Sequence, residues 1–188
     1  DSEDVPAEEK ARRERAREGG TGIVGYSADD DGNRIVFTIN GRLFLTEIAW
    51  NDETGAPEPH TRELASEWLD EDPEMYTPVL NPRIAPDGEH VLYTTGSYLM
   101  LVDIGGELGD RITAVYGVSV EDEDGNPAEN TWKIGLAEFV AGEEMDRYDG
   151  FWWAPDSQHV LFESFDTADE PTWYISDPAD PEKPAAGR

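Results

Sequence analysis

The sequence of 188 residues contains no cysteine, which excludes disulfides, thiol catalysis and cysteine-ligated zinc. Basic residues are also scarce, since 14 Lys and Arg stand against 43 Asp and Glu and give a formal net charge of −29. We therefore expect neither nucleic acid nor an anionic membrane surface as a partner, because both would repel the chain. No apolar run approaches the roughly 18 residues of a membrane span. The N-terminal stretch DSEDVPAEEK lacks the apolar core of a signal peptide, and the compartment stays open.

The remaining composition indicates a folded domain. Hydrophobic residues make up 37% of the chain and aromatic residues 10%, including six Trp, which is too aromatic for a disordered chain. We interpret the excess of acidic residues as a solvated surface. Residues 1–20 are different: they are highly charged, contain KARRERARE and end in Gly19-Gly20. This pattern predicts a charged N-terminal arm or helix, followed by a β-rich region over residues 21–188.

Three sets of short β-rich runs follow the N-terminal arm. In each set an acidic turn precedes an apolar strand by a few residues, which indicates an internal repeat. The turns are Asp31-Gly32, Asp87-Gly88 and Asp156-Ser157, and the strands after them are Ile35-Val36-Phe37, Val91-Leu92-Tyr93 and Val160-Leu161-Phe162. Inserts explain the unequal spacing of the turns. One spans residues 50–78 with a predicted short helix TRELASEWL, and the other spans 106–131 with a further turn at EDEDGNP.

The repeat predicts an all-β fold, namely a partial β-propeller of three to four blades built from antiparallel meanders. One small meander cannot bury both of its faces, so we expect successive sheets to stack on each other. A β-sandwich of irregular strands is the alternative, and the repeated phase of the turns argues against it. Because three or four blades are too few to close a ring, we expect a fragment or an assembly with missing blades.

The most specific pattern lies between Gly135 and Asp166. It contains an acidic pair, an aromatic pair, an Ala-Pro-Asp turn and an apolar strand: Glu143-Glu144, Trp152-Trp153, Ala154-Pro155-Asp156 and Val160-Leu161-Phe162. This order resembles the N-terminal propeller domain of the dipeptidyl peptidase IV family. The members of that family are serine peptidases of the prolyl oligopeptidase type. The stretch GIVGYSADDDGNRIVFTINGRLFLTE is similar to the first blade of bacterial members. The C-terminal PAAG resembles the family's Tyr-Pro-x-Ala-Gly segment without its Tyr.

The resemblance implies a serine dipeptidyl aminopeptidase that releases dipeptides from the N-termini of peptides. Its Glu pair, here Glu143 and Glu144, would bind the free amino terminus of the peptide substrate, since an ammonium and two carboxylates form strong charge-assisted bonds. The resemblance also implies a C-terminal α/β-hydrolase domain that carries the nucleophile, and it allows a homodimer. It implies no cofactor.

Each of these residues has a plainer interpretation. The Glu pair could belong to a solvated charge run, as Glu8-Glu9 could. Arg147 could contact substrate or form a structural ion pair. We expect Leu136, Phe139 and Val140 to anchor the helical segment. For Trp152 and Trp153 we favour core packing, and Asp166 either braces the Glu segment or caps a turn.

No G-x-S-x-G elbow occurs in the sequence, so we assign no catalytic residue and expect no peptidase activity from these residues alone. His60, His90 and His159 stand in polar or turn-like settings. The acidic stretches SADDDGNR and VEDEDGNP lack the Glu at the twelfth position of a calcium-binding EF-hand, so we predict no metal site. The functional alternative is a non-enzymatic propeller that binds a partner protein.

Overall fold

The computed structural model describes Lys10 and residues 22–106, 109–126, 128–171, 174–175 and 186–187. The predicted N-terminal arm lies outside the described residues, apart from Lys10, which is helical. Within the described part, none of the helices combines the length and the apolar character needed to cross a membrane.

Two four-stranded antiparallel sheets form the first part of the fold, and in both of them the strands pair in chain order. The first sheet consists of β1 (Tyr26–Ala28), β2 (Arg34–Ile39), β3 (Arg42–Trp50) and β4 (Pro57–Glu63). The second consists of β5 (Leu80–Ile84), β6 (His90–Thr94), β7 (Tyr98–Gly106) and β8 (Gly109–Gly117). Asn40 and Gly41 both have positive φ, at 51° and 74°, which is the geometry of the tight hairpin turn expected between β2 and β3.

Each of the two predicted inserts, residues 50–78 and 106–131, contains a β-strand. Helices α1 (Ser66–Glu71) and α2 (Pro73–Tyr76) connect the two sheets, but the predicted helix TRELASEWL begins too early. Thr61 belongs to β4, where its Oγ1 lies 2.8 Å from Oγ1 of Thr46 on β3. Cross-strand pairing therefore overrides the helical propensity of residues 61–63. The two predicted inserts thus contain the fourth strands, β4 and β8.

The third set of strands is shorter. It comprises β9 (Trp132–Ile134), α3 (Phe139–Glu144), β10 (Phe151–Trp153), β11 (Val160–Phe162) and β12 (Ser164–Asp166). β10 pairs with β11, and β12 pairs with β9. Near the C-terminus β13 (Tyr174–Ile175) pairs with β14 (Ala186–Gly187).

The three repeated turns have the same hydrogen bonds. In each turn a first residue donates its N–H to the carbonyl five positions ahead and accepts from the N–H three positions ahead. These first residues are Asp29, Ala85 and Ala154, with distances between 2.8 and 3.1 Å. The fourth residues, Gly32, Gly88 and Ser157, all have left-handed φ, at 68°, 76° and 56°. The internal repeat inferred from the sequence is therefore a repeat in structure.

Neighbouring turns are also bonded to each other. The N–H of Asp30 donates to the carbonyl of Pro86 at 3.0 Å. The N–H of Asp87 donates to Oγ of Ser157 at 3.0 Å, and Ser157 is buried. The first sheet, the second sheet and the β10–β11 hairpin are thus linked through their turns.

The central strands β6 and β7 of the second sheet are buried on both faces. Along β6 and β7 side chains alternate, so Val91, Tyr93 and Met100 pack towards the first sheet while Leu92 and Leu99 pack towards the third set of strands. The first cluster is completed mainly by Val36, Leu43, Leu45, Leu64, Leu69 and Ile112, and the second by Ile134 and Phe151. Full burial of such side chains contributes about 1.5–3 kcal/mol each. Stacked antiparallel sheets of this kind confirm the predicted all-β, partial propeller fold.

Candidate functional site

Residues 136–149 lie between strands β9 and β10, and we name them the carboxylate loop. β9 before the loop and β10 after it pair with adjacent parts of the continuous segment 160–166. β10 pairs with β11 in its first part, and β9 pairs with β12 in its second part. Glu163 stands at the junction. Its N–H donates to the carbonyl of Gly150 and its carbonyl accepts from the N–H of Gly135, both at 2.8 Å. The loop therefore leaves a sheet and returns to it at the same point.

The base of the loop is tightly closed. Leu136 and Asp149 form an antiparallel bridge. Gly150 lies so close to the preceding stem that a Cβ there would be 2.4 Å from the carbonyl carbon of Leu136 and 2.5 Å from that of Gly135. Only glycine allows this approach of two backbones.

Within the loop, Glu138 begins helix α3. Its carboxylate accepts hydrogen bonds from the N–H groups of Val140 at 2.8 Å and Ala141 at 2.6 Å, which satisfies two donors of the first turn. The helix ends at Glu144, and Asp146 follows in the left-handed conformation with φ 53°. The short helical segment expected for the acidic pair is therefore present.

The predicted anchoring of this helix is wrong in part. Phe139 and Val140 are 63% and 47% exposed, whereas the buried residues of the helix are Ala141 and Gly142. The helix begins only at Phe139, so Leu136 does not share a helical face with these side chains. The buried positions of the helix are therefore held by its two smallest residues.

Glu143 and Glu144 occupy the last turn of α3, and both are exposed. Among the described residues, neither carboxylate has a hydrogen bond or an ion pair to another side chain. The C-terminal end of a helix carries a partial negative charge that adds to theirs. Two free carboxylates at such an end favour a cation.

Arg147, the third predicted substrate-binding residue, is engaged inside the protein. Its Nη1 donates to Oε2 of Glu163 at 2.6 Å and to the carbonyl of Asp149 at 2.9 Å. The guanidinium also lies 5.8 Å from the ring centre of Trp152. The hydrogen bond with Glu163 is the main cause that raises the pKa of Arg147 above its ordinary value. The structural ion pair considered from the sequence is present, and contact with a substrate stays a prediction.

A second set of contacts, which the sequence did not reveal, fixes the loop to the second sheet. Oδ1 of Asp149 accepts from Nδ2 of Asn81 at 2.9 Å and from Nη2 of Arg83 at 2.8 Å. Nε1 of Trp153 donates to the carbonyl of Arg83 at 3.0 Å. Asn81 and Arg83 are far from the loop in the chain, so no local pattern could have indicated them.

The remaining residues of the pattern have structural roles. Trp153 packs in the second core cluster, as expected, but Trp152 is 38% exposed and does not. Asp166 caps a turn: its Oδ1 accepts from Oγ1 of Thr131 at 2.6 Å and from the N–H of Ala168 at 3.0 Å. The described residues contain no group of three His, Asp or Glu side chains arranged to hold a metal ion.

The stacked sheets and the acidic helix on a braced loop define a propeller-type domain with a candidate site for a cationic group. The chain belongs to the family described as the dipeptidyl peptidase IV (DPP IV) N-terminal region, whose model matches residues 39–187. It is also 24% identical over 183 residues to dipeptidyl peptidase 8 from Homo sapiens and to its counterpart from Mus musculus. These alignments cover 91% of this chain, and the chain spans 19% of the length of each relative.

Proposed function

We propose that this chain is the substrate-recognising propeller region of a serine dipeptidyl peptidase, in which Glu143 and Glu144 bind the free amino terminus of a peptide. The single observation that supports this most is the state of the pair. Both carboxylates are exposed and unpaired among the described residues, on a helix whose loop is held at its base and to the second sheet.

Fixing an ammonium at this place would set the register of the peptide. A substrate held by its first residue presents one particular bond to a nucleophile supplied elsewhere, and binding energy is converted into orientation at that bond. In this proposal a C-terminal α/β-hydrolase domain of the same protein supplies the nucleophile. These 188 residues alone then release no dipeptide.

The test is to titrate the chain with trialanine amide and to monitor binding by NMR chemical shifts. The comparison is a titration with the same peptide acetylated at its N-terminus. We expect the free peptide to bind and the acetylated one to bind at least about tenfold more weakly, because a charge-assisted bond contributes about 1.5–3 kcal/mol. Glu143→Gln and Glu144→Gln should each weaken binding of the free peptide and leave the acetylated peptide unaffected.

The matched control is Glu123→Gln combined with Asp124→Asn, a second exposed acidic pair, which sits in the turn after β8. It should bind the free peptide as the unaltered chain does, although it removes two negative charges. Equal binding of both peptides to every variant would refute the proposed role of the pair. That result would favour the non-enzymatic module for a partner protein.

A further inference from the structure

Arg147 follows the acidic pair at spacings that normally produce ion pairs. It stands four positions after Glu143 and three after Glu144, and on a continuing helix such pairs lie side by side. The structure avoids them. The helix stops at Glu144, the chain turns at Asp146, and the N–H of Arg147 donates back to the carbonyl of Ala141 at 2.9 Å.

The guanidinium is bonded instead to a carboxylate outside the loop. Nη1 of Arg147 lies 2.6 Å from Oε2 of Glu163, and both side chains are about one-third exposed or less, at 34% and 26%. Besides Glu163, the charges of Glu138 and Asp149 also raise the pKa of Arg147. The guanidinium is therefore already engaged by a carboxylate other than Glu143 and Glu144.

Building on the proposed function, we propose that Glu163 is a positioning residue that holds Arg147 away from Glu143 and Glu144 and so keeps both carboxylates available for the peptide ammonium. Without this contact Arg147 becomes an internal competitor for the same site. A cation tethered by two intervening residues has an effective concentration in the millimolar range or above, which is enough to compete with a weakly bound peptide.

The two functions of Glu163 can be separated by mutation. Its backbone N–H and carbonyl hold the two stems of the loop, and every residue except proline retains these groups. Its side chain makes only the contact with Arg147 among the described hydrogen bonds. Glu163→Gln therefore leaves the stems closed and removes the charge that binds the guanidinium, and Glu163→Ala removes the acceptor altogether.

The first experiment measures binding of trialanine amide to the 188-residue chain by NMR titration. We expect Glu163→Gln and Glu163→Ala to bind the peptide about two- to fourfold more weakly, as an exposed competing ion pair would dictate. The double variant Glu163→Gln with Arg147→Gln should bind the peptide more tightly than Glu163→Gln alone, because the competitor is gone. This gain in affinity is the result that a merely structural role of Glu163 would not give.

The control is Glu63→Gln, which breaks a similar ion pair with Arg42 in the first sheet and changes the net charge equally. It should bind the peptide normally. A double variant as weak as Glu163→Gln, or Glu163 variants as tight as the unaltered chain, would overturn the proposal. If the unaltered chain does not distinguish free from acetylated peptide, the proposed function fails, and the second experiment decides the positioning role by itself.

The second experiment follows the Nε–H resonance of Arg147 and needs no peptide. In the unaltered chain, Glu143→Gln with Glu144→Gln should leave this resonance unchanged. In the Glu163→Gln background the same double substitution should shift it, because the guanidinium has moved to the pair. An unchanged resonance in both backgrounds would contradict the positioning role of Glu163.

Discussion

Gly150→Ala should force open the base of the carboxylate loop. The added Cβ would lie 2.4–2.5 Å from three backbone atoms of Gly135 and Leu136. No side chain can rotate out of the way, so the two stems must separate by about 1 Å before ordinary contact is restored. That movement breaks the bridge between Leu136 and Asp149 and strains both hydrogen bonds of Glu163.

The expected cost follows from these contacts. Overpacking in a rigid core costs about 1–3 kcal/mol, and a strained pair of backbone hydrogen bonds adds about 1 kcal/mol. A total of about 3 kcal/mol lowers the melting temperature of a domain of this size by roughly 6–12 °C. We expect the loss in thermal unfolding monitored by circular dichroism, together with faster amide exchange in the carboxylate loop.

Gly25→Ala is the matched control, because a Cβ at Gly25 would meet no atom within 4 Å and its φ is not positive. There the methyl group only restricts the unfolded chain, so stability should stay the same or rise by up to about 1 kcal/mol. If Gly150→Ala melted within one or two degrees of the Gly25→Ala control, the closed base of the loop as described would be wrong.

Two further predictions concern polar contacts that the second sheet makes with earlier parts of the chain. Burial alone would raise the pKa of Asp110, but the hydrogen bond from Arg62 and those from two backbone N–H groups outweigh it and hold the pKa below its ordinary value. Asp110→Asn should therefore cost about 2 kcal/mol at neutral pH. A group whose pKa is depressed in the fold stabilises it at pH values above the pKa of the unfolded chain. The difference in free energy of unfolding between the unaltered chain and Asp110→Asn should therefore shrink as pH falls below about 4. Urea unfolding at several pH values measures this difference. Tyr93→Phe removes the hydrogen bond from the buried hydroxyl to the carbonyl of Tyr76 and should cost about 1 kcal/mol in the same assay at pH 7; equal stability would contradict the contact.

The fold could be predicted from the sequence where local chemistry and repetition agree. The Asp-Gly and Asp-Ser dipeptides mark turns whose left-handed residues recur at Gly32, Gly88 and Ser157. The β-branched and aromatic runs after them form strands β2, β6 and β11. Stacking follows from the physics of a small sheet, which must bury both faces.

The sequence-based predictions were wrong where tertiary contacts determine the secondary structure or the burial of a residue. Nothing in TRELASEWL shows that Thr61 will pair with Thr46, since that depends on a strand elsewhere in the chain. The apolar residues Phe139 and Val140 suggested a buried helical face, but in the fold these side chains are exposed and Ala141 and Gly142 are buried instead.

The candidate site was predictable only in its central motif. The acidic pair and its short helix are local, and the resemblance to the family located them. The network that surrounds them is not local: Glu163 pairs with Arg147 from 16 positions further along the chain, and Arg83 on the second sheet pairs with Asp149. Such contacts depend on how the sheets stack, which one sequence does not encode in any short pattern.

The junction at Glu163 affects how easily the carboxylate loop can change in length. Because the chain departs after Gly135 and resumes at Gly150 beside the same segment 160–166, the ends of the excursion are already joined. Lengthening it costs little closure entropy, about 0.6 kcal/mol for each doubling. Residues can therefore be added within the loop at little entropic cost, provided that Asp149 keeps its bonds to Asn81 and Arg83 on the second sheet.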